Sequence, residues 1–403
     1  MNLPLKSKCT VCQSKDLRSS FSFGKQPPSN RFVASETGEV NSEDFSALSL
    51  GYCQQCGTIQ LVDRMPIEII RPRYDWLVYN EPERHLDEVA NKLVGLSGID
   101  ESSRFLGITY KDKSTLDRIE RLGFPHTACI SETDLKCSEE PFGLETIQDT
   151  LGRESTVARL REIYGSADVI LVRHIIEHAL DANAFIRSLQ GLLAPNGYMV
   201  FELPDSEKIL RTNNHAFIWE EHVSYFTAAS VRQLVKAVEA DLVWLGQFPY
   251  PYEDSLVAVF SFAEAKGVPA EAISQTAEIP TAVLDEFAKG LPISREKWRK
   301  ELEAYRSKGE KVAIFGAGHL TAKFINFYGL SDLIDCVIDD HPKKVSMFMP
   351  GSGLEIVPSA ELLSRGIKVC ISTLNPESEI KVRGKLASFF NAGGCFVPAF
   401  VTV

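Results

Sequence analysis

The 403-residue sequence lacks several features that would each assign it to a broad class of protein. It has no run of about eighteen apolar residues, the length that a membrane-spanning helix needs. Its first residues, MNLPLKSKCT, lack the apolar core of a signal peptide. Positive charge is not in excess either, because the net charge is -11 and the pI about 5.4. Nucleic acid and anionic membranes would repel such a chain, so we expect a cytoplasmic protein that binds neither.

The number of cysteines is odd, whereas a disulfide framework would need an even number. Four of the nine cysteines form two CxxC pairs, and they are Cys9, Cys12, Cys53 and Cys56. Two such pairs complete a closed tetrahedral zinc site with no open position for catalysis. The gap between the pairs is longer than in a usual zinc ribbon, so four unrelated cysteines are the alternative. We predict one structural zinc ion in a reducing compartment.

The length and the 44% hydrophobic content allow two or three domains. We predict an α/β protein with a small zinc module at residues 1–70 and a doubly wound, parallel-sheet domain at 71–265. A helical linker at 266–310 and a Rossmann-like domain at 311–403 should follow. Between the CxxC pairs, FSFGKQPPSNRF is rich in turn formers and should cross the surface without a long helix or strand.

From Ser103 onward the pattern alternates between short apolar strands and helices, which is typical of a parallel sheet. Predicted strands cover Phe105–Ile108, Thr127–Ile130, Asp168–Val172 and Tyr198–Leu203, and predicted helices cover Ser114–Leu122, Ser155–Tyr164 and Asp181–Leu193. Ligands of such sheets bind beyond the carboxyl ends of the strands. Glu177, His178, Pro204 and Asp205 should lie at that edge.

The composition of the stretch FIWEEHVSYF, residues 217–226, predicts that it forms the chemical centre of the protein. It sets Glu220, Glu221 and His222 among the rings of Trp219 and neighbouring aromatic residues. A histidine beside a carboxylate in an apolar pocket can accept a proton near neutral pH. The alternative is a satisfied polar cluster on a surface turn. Thr227 is a good cap for a helix at Ala228–Val238, so the stretch should be a loop.

Two further segments contain candidate ligand contacts. An aromatic patch that includes Tyr74 and Tyr79 could serve packing or face a ligand. In the C-terminal domain, a predicted strand is followed by Gly316-Ala-Gly318, a tight turn that could approach a diphosphate. Because Thr321 takes the third fingerprint position, a simple turn is an equally good interpretation. For the same reason, a dehydrogenase with Asp339 on a ribose is disfavoured.

Across nearly the whole chain the sequence resembles the sugar-nucleotide C-methyltransferases of deoxysugar pathways. The matching segments are CTVC with GYCQQC, GKQPPSNRF, ADVILVRHIIEH, APNGYMVFELPD, WEEHVSYF and VAIFGAG with VIDDHPKK. The resemblance implies S-adenosylmethionine as cofactor and methylation at C3 of a nucleoside-diphosphate 4-keto sugar. It implies His222 as the base, Glu221 as its partner and His178 near the ketone. Trp219 stands where the family has a tyrosine.

The first strand departs from the family pattern LEIGSNDGTLL. This chain has Gly107 at the Glu position, Thr109 and Lys113 at Gly positions, and Ser131 with Glu132 at the ribose acid, and only Asp112 keeps its type. Gly107, Asp112 and Glu132 are therefore the candidate cofactor contacts. Side chains at glycine positions should crowd the cofactor and restrict positive φ. Three functions stay open: methyl transfer, cofactor-independent proton transfer (an epimerase, isomerase or dehydratase) on a nucleotide sugar, and sugar-nucleotide binding without catalysis.

Overall fold

The computed structural model describes residues 8–34, 45–71, 73–74, 81–135, 144–262 and 281–400. Within them the chain forms three β-sheets of four, six and five strands. The α/β class and the order of zinc module, methyltransferase-like domain and parallel C-terminal sheet are confirmed. None of the helices in these residues combines the length and the apolarity that a bilayer crossing requires.

The N-terminal module is a small antiparallel sheet. Its elements are β1 (Leu17–Gln26), β2 (Ser46–Cys53), β3 (Ile59–Leu61) and α1 (Ile67–Ile70). Strand β3 also pairs with Ser224–Tyr225, a two-residue strand inside FIWEEHVSYF. The zinc module is therefore hydrogen-bonded directly to the predicted chemical centre.

Our prediction for FSFGKQPPSNRF is wrong. Its first six residues complete the ten-residue strand β1, and Ser29, Asn30 and Arg31 are only 2–4% exposed. Pro27 and Pro28 end the strand as expected of residues without an N–H donor. The polar residues that follow turn inward, because they have partners on other segments of the chain.

The central domain is a mixed sheet with helices on its faces. Its elements are α2 (Leu86–Val94), β4 (Phe105–Gly107), α3 (Lys113–Arg121), β5 (Thr127–Cys129), α4 (Glu132–Leu135), α5 (Leu144–Leu151), α6 (Glu154–Tyr164), β6 (Ala167–Arg173), α7 (Ala182–Leu189), β7 (Leu193–Asp205), α8 (Glu207–Arg211), β8 (Ser224–Tyr225), α9 (Ala228–Ala237), β9 (Asp241–Phe248) and β10 (Asp254–Ser261). The predicted strands and helices are all present with boundaries shifted by a few residues. Thr227 caps α9 in a capping box with Ser230, as predicted.

The sheet order is β5-β4-β6-β7-β10-β9. Strands β5, β4, β6 and β7 are parallel, but β10 runs antiparallel to both β7 and β9. A wholly parallel sheet was therefore an incorrect expectation. No alternating helix separates β9 from β10, so the pair forms a hairpin that covers the β7 edge. Its loop, Pro249–Glu253, consequently reaches the carboxyl end of β7.

The C-terminal domain begins with a long helix, which is followed in the sequence by the strands of a parallel sheet. Its elements are α10 (Thr281–Ser307), β11 (Lys311–Phe315), α11 (His319–Tyr328), β12 (Cys336–Ile338), β13 (Ile356–Val357), β14 (Ile367–Ser372), α12 (Pro376–Lys385), α13 (Ala387–Asn391) and β15 (Cys395–Pro398). The order β13-β12-β11-β14-β15 reverses at β11, which is the switch point where such sheets bind ligands. Helix α10 begins well before the predicted Ser294.

The zinc module and the C-terminal domain share one apolar core. Residues of β1 and β2 lie in the same buried cluster as residues of α10, α11 and β11. For example, the ring of Phe23 in β1 stacks on Phe327 in α11, with centroids 4.0 Å apart and planes at 15°. Such burial stabilises by about 25 cal/mol per Å² of apolar surface. The two domains thus pack on each other directly.

Gly107, at the end of β4, is closely packed against the loop that follows it. A Cβ atom there would lie 2.6 Å from the Cβ of Asp112 and 3.0 Å from Cδ1 of Leu116. We expect Gly107→Ala to lower the free energy of unfolding by about 1–3 kcal/mol through overpacking, measured by denaturant titration. Gly384→Ala in α12 is the control, because a Cβ there meets nothing within 4 Å and alanine favours a helix. Equal stability of the two variants would contradict the close packing.

Candidate active site

The four CxxC cysteines come together as predicted. Their sulfur atoms all lie within 4.8 Å of one another, with 3.5 Å between Cys9 and Cys56 and between Cys12 and Cys53. Each pair sits on a tight turn, closed by Gln13 N to Cys9 O at 3.1 Å in the first pair and by Gly57 N to Cys53 O at 2.9 Å in the second. Four cysteine sulfurs at this spacing suit a structural zinc ion.

A cavity of about 1300 Å³ opens at the carboxyl ends of the central strands, against the C-terminal domain. It exceeds the usual size of a site for one small ligand, roughly 300–1000 Å³. Its lining includes Asn30 of the zinc module, Lys111, Glu132, His174, Glu177, His178, Trp219, Glu221, His222 and Glu253 of the central domain, and His319, Thr373, Asn375, Ser378 and Lys381 of the C-terminal domain. All three domains therefore contribute to one site.

His222 and His178 lie together in this cavity, as predicted. Their rings are perpendicular with centroids 4.9 Å apart. His178 lies in the 3₁₀ turn Ile176–His178, just after β6, and His222 lies on the loop before β8. The ring of Trp219 is also 4.9 Å from that of His222. The surface-turn alternative for this cluster is thus excluded, because Trp219, Glu220 and Glu221 are 2–4% exposed.

Glu177 is a member of this cluster that sequence analysis placed at the sheet edge but did not select. One carboxylate oxygen of Glu177 and one ring nitrogen from each of His178 and His222 lie within 4.8 Å of one another. Oε1 of Glu177 has an ion-pair contact of 3.5 Å with Nδ1 of His174. Among the described residues, Oε2 of Glu177 and Nδ1 of His178 are buried and make no hydrogen bond. Buried polar atoms without partners are costly, so this cluster is suited to receive a ligand. The same atoms are close enough to hold a metal ion.

The protonation of the histidines follows from their surroundings. Burial, and next the proximity of His178, hold the pKa of His222 well below its usual range. Burial likewise lowers the pKa of His178. Both rings are therefore neutral near pH 7 and keep a free lone pair. A neutral imidazole beside the carboxylate of Glu177, which also contacts His174, can take up a proton, and the carboxylate can stabilise the resulting cation.

The two glutamates of the loop bind residues outside it. Glu221 accepts a hydrogen bond from Nδ2 of Asn30 at 3.0 Å, and Glu220 accepts one from the backbone N–H of Ser29. Glu220 also forms an ion pair of 2.6 Å with Lys323 of α11. The assignment of Glu221 as the partner of His222 stays a prediction. The geometry shows in addition that the buried segment after β1 holds this loop in place.

A buried charge network, which could not be recognised in the sequence, reaches the cavity wall through Glu81, Lys111 and His174. Glu202 pairs with Arg173 at 2.6 Å and with His174 at 3.2 Å, while Glu81 pairs with Lys111. Burial lowers the pKa of His174, but Glu81, Glu177 and Glu202 outweigh it and raise the value to about 10. His174 is therefore charged at neutral pH. Its partners Glu81 and Glu202 lie far from it in the sequence, so no local pattern revealed those two pairs.

The loop after β4 departs from our expectation of backbone strain. Thr109 has φ of -142°, an extended conformation open to any residue, and its side chain accepts a hydrogen bond from Lys111 N. Asp112 accepts from Ile108 N and Thr109 N at 2.7 and 2.8 Å. Lys113 binds Asp117 at 2.7 Å and lines a cavity next to the main one. Thr109 and Lys113 are not among the residues with positive φ.

Only one of the three predicted cofactor residues lines a cavity. Glu132 lines the main cavity and an adjoining one of about 390 Å³, which Thr109, Tyr110 and Ser131 also line. Gly107 and Asp112 do not line either cavity, and they shape the loop from behind. A carboxylate after β5 and an open space beside the loop fit the ribose and adenine of S-adenosylmethionine. The residues present therefore fit this cofactor.

Two of the five predicted substrate residues line the cavity. Tyr74 and Trp219 line the cavity, and Tyr79 lies outside the described residues. Gly316 and Gly318 do not line it, because their turn is closed by its own contacts: Ala317 N donates to Asp339 at 2.9 Å and Gly318 N to Gly316 O at 3.1 Å. The next residues, His319 and Leu320, reach the cavity instead.

Three models of protein families match consecutive parts of the chain. A putative zinc binding domain matches residues 9–70, a methyltransferase domain matches 75–243, and a C-methyltransferase C-terminal domain matches 270–400. Among curated proteins, the C-methyltransferase NovU of Streptomyces niveus is 21% identical over 232 residues, which are 57% of this chain and 55% of NovU. The match thus spans just over half the length of that relative.

Solved methyltransferases resemble parts of the structure at low similarity. The 1,6-didemethyltoxoflavin-N1-methyltransferase of Burkholderia thailandensis has 13% identity and a TM-score of 0.30, and covers 44% of this chain and 78% of its own. The N-methyltransferase NodS of Bradyrhizobium japonicum has 16% identity and a TM-score of 0.25, with coverage of 45% and 98%.

The zinc cluster lies in the first of the three matched domains, the cavity and its histidines in the second, and the sheet opposite them in the third. The chain belongs to the C-methyltransferases that combine an N-terminal zinc-binding domain, a central methyltransferase domain and a C-methyltransferase C-terminal domain.

Proposed function

We propose that the protein methylates a carbon next to the ketone of a nucleoside-diphosphate 4-keto sugar, at C3. The observation that carries this proposal is the cluster of His222, Glu177 and His178 in a cavity of about 1300 Å³. A carbon next to a ketone loses a proton readily once a base is placed on it. The C-terminal wall of the same cavity offers room for the nucleotide.

Each residue of the cluster has a role in this proposal. A ring nitrogen of His222 takes the proton, and the electron pair of the broken C–H bond stays on the sugar as an enolate. Glu177 stabilises the imidazolium that forms, and His178 donates a hydrogen bond to the ketone oxygen. S-adenosylmethionine, when bound, would supply an electrophilic methyl group for the enolate carbon, and the electron pair of the broken S–CH3 bond would stay with S-adenosylhomocysteine. Glu132 and the loop at Thr109–Tyr110 would hold it.

Calorimetric titration of S-adenosylmethionine tests the cofactor part. We expect binding by the wild type and a tenfold to hundredfold weaker affinity for Glu132→Ala, because a lost hydrogen bond to a charged group costs about 1.5–3 kcal/mol. Glu101→Ala, at an exposed loop position, is the control and should bind normally. No heat from the wild type, with or without a nucleotide sugar, would end the methyl-transfer proposal.

A second candidate is proton transfer without a cofactor, as in an epimerase. One observation favours it: the cation Lys111 occupies the cavity wall beside the cofactor loop, and a positive charge is unfavourable near a sulfonium. Its pairing with Glu81 offsets that charge, so we place methyl transfer first. Epimerisation of a keto sugar in the absence of S-adenosylmethionine would reverse this order.

A further inference from the structure

We infer that Lys323 of α11 is a positioning residue for His222, and that its buried ion pair with Glu220 sets where the base stands in the cavity. The inference rests on the proposed role of His222 and adds a residue of the C-terminal domain to it. Lys323 does not line the cavity and touches no reacting atom. It acts through the loop that carries the base.

The pair itself is closed off from solvent. Nζ of Lys323 lies 2.6 Å from Oε2 of Glu220, and both side chains are 0% exposed. Nζ also donates to the backbone oxygen of Pro27 at 3.2 Å, and Glu220 accepts from Ser29, including its Oγ at 3.4 Å. A buried charge is stable only while its partner remains in place. Glu220 is therefore bound to one location.

A second contact joins the same helix to the same loop. His319 lies one turn before Lys323 on α11, on the same face. Its ring stacks on that of Trp219, with centroids 4.1 Å apart and planes at 18°. Helix α11 thus holds two consecutive residues of the loop, one by stacking and one by charge.

The other end of the loop is held independently. Val223 N donates to the backbone oxygen of Glu177 at 2.8 Å, and Leu61 N donates to Val223 O at 2.9 Å. His222 lies between the two anchored ends, with only Glu221 separating it from Glu220. Loss of the ion pair between Lys323 and Glu220 would let the ring of His222 shift relative to Glu177 and His178. Misplacement of a catalytic group by about 1 Å can cost a hundredfold in rate.

The test compares Lys323→Met with a double variant, Lys323→Met/Glu220→Gln. The readout is the exchange of the C3 proton of a nucleoside-diphosphate 4-keto sugar in deuterated water, with kcat and KM measured separately. We expect Lys323→Met to lower kcat by about a hundredfold while KM stays near the wild-type value. The double variant should recover most of the loss, because the uncharged amide no longer needs a cation.

Val312→Ala is the control for lost stability alone, because Val312 is fully buried in β11 and does not line the cavity. It should keep kcat. The inference is overturned if Lys323→Met keeps kcat, or loses no more of it than Val312→Ala, or if the double variant remains as slow as the single one.

A measurement without substrate separates this inference from the proposed function. The ring resonances of His222, assigned in histidine-labelled protein, should shift in Lys323→Met and stay unchanged in Val312→Ala. If the wild type exchanges no proton but the shift is present, the proposed function fails and the positioning contact stands. An unchanged His222 resonance in Lys323→Met refutes the positioning role whatever the activity.

Discussion

Replacement of His222 by glutamine is expected to lower the rate of C3 proton exchange by about a thousandfold, within the range of a lost general base. Glutamine keeps a polar side chain of similar length but cannot accept the proton at neutral pH. Affinity for the sugar nucleotide should change little. The measurement is deuterium incorporation followed by mass spectrometry, alongside calorimetric binding.

His215→Gln is a matched control for this substitution. His215 is also a buried histidine whose pKa burial lowers, to about 4, but its Nε2 lies 2.8 Å from the backbone oxygen of Phe287, away from the cavity lining. It should reduce stability and leave the exchange rate near that of the wild type. Equal rates for His222→Gln and the wild type would remove His222 as the base.

The pH dependence follows from the same residue. Burial holds the pKa of His222 well below the ordinary value of 6.5, so the ring stays neutral, and active as a base, as the pH falls through 6.5. As the pH is lowered, the rate of C3 proton exchange by the wild type should therefore fall only at a pH well below 6.5. A decline centred at 6.5 would show that the ring titrates like an exposed histidine.

Loss of the zinc ion is the second large effect. We expect Cys12→Ser to release zinc and to lower the free energy of unfolding by several kcal/mol, since structural zinc contributes about 10 kcal/mol or more in small zinc domains. Because β3 pairs with β8 and Asn30 binds Glu221, the catalytic loop should lose its support and the activity should fall as well. Cys395→Ser, at an exposed position of β15, is the control.

Elemental analysis also tests the histidine cluster. One zinc per chain in the wild type, and none in Cys12→Ser, is the expected result. A second equivalent that persists in Cys12→Ser would place a metal on Glu177, His178 and His222, where it would occupy the lone pair that the base needs.

Local patterns were sufficient for the features that depend on short spacing. The two CxxC turns, the alternation of strands and helices, the Thr227 cap and the position of His178 at the sheet edge all follow from neighbouring residues or from one rule of sheet topology. The antiparallel strands β9 and β10 were missed because no helix separates them, and that departure is what brings the Pro249–Glu253 loop to the site.

Contacts between distant segments could not be predicted. Ser29 and Glu220 are 191 positions apart, and nothing in GKQPPSNRF indicates a buried partner for the loop. The same holds for Lys323, which reads as an ordinary helix lysine. At the cofactor loop, the residue types suggested a restriction of positive φ, but the backbone of Thr109 is extended and needs none. The side chains of Thr109 and Lys113 still line the adjoining cavity, so their effect on the cofactor stays a prediction.

The central claim is methyl transfer to a carbon from which His222 has removed a proton. Its most direct test is mass spectrometry of a nucleoside-diphosphate 4-keto sugar after incubation with the protein and S-adenosylmethionine in deuterated water. We expect a product that carries one added methyl group with wild-type protein and none with His222→Gln. Deuterium at C3 without any methyl group, from wild-type protein with the cofactor present, would contradict it.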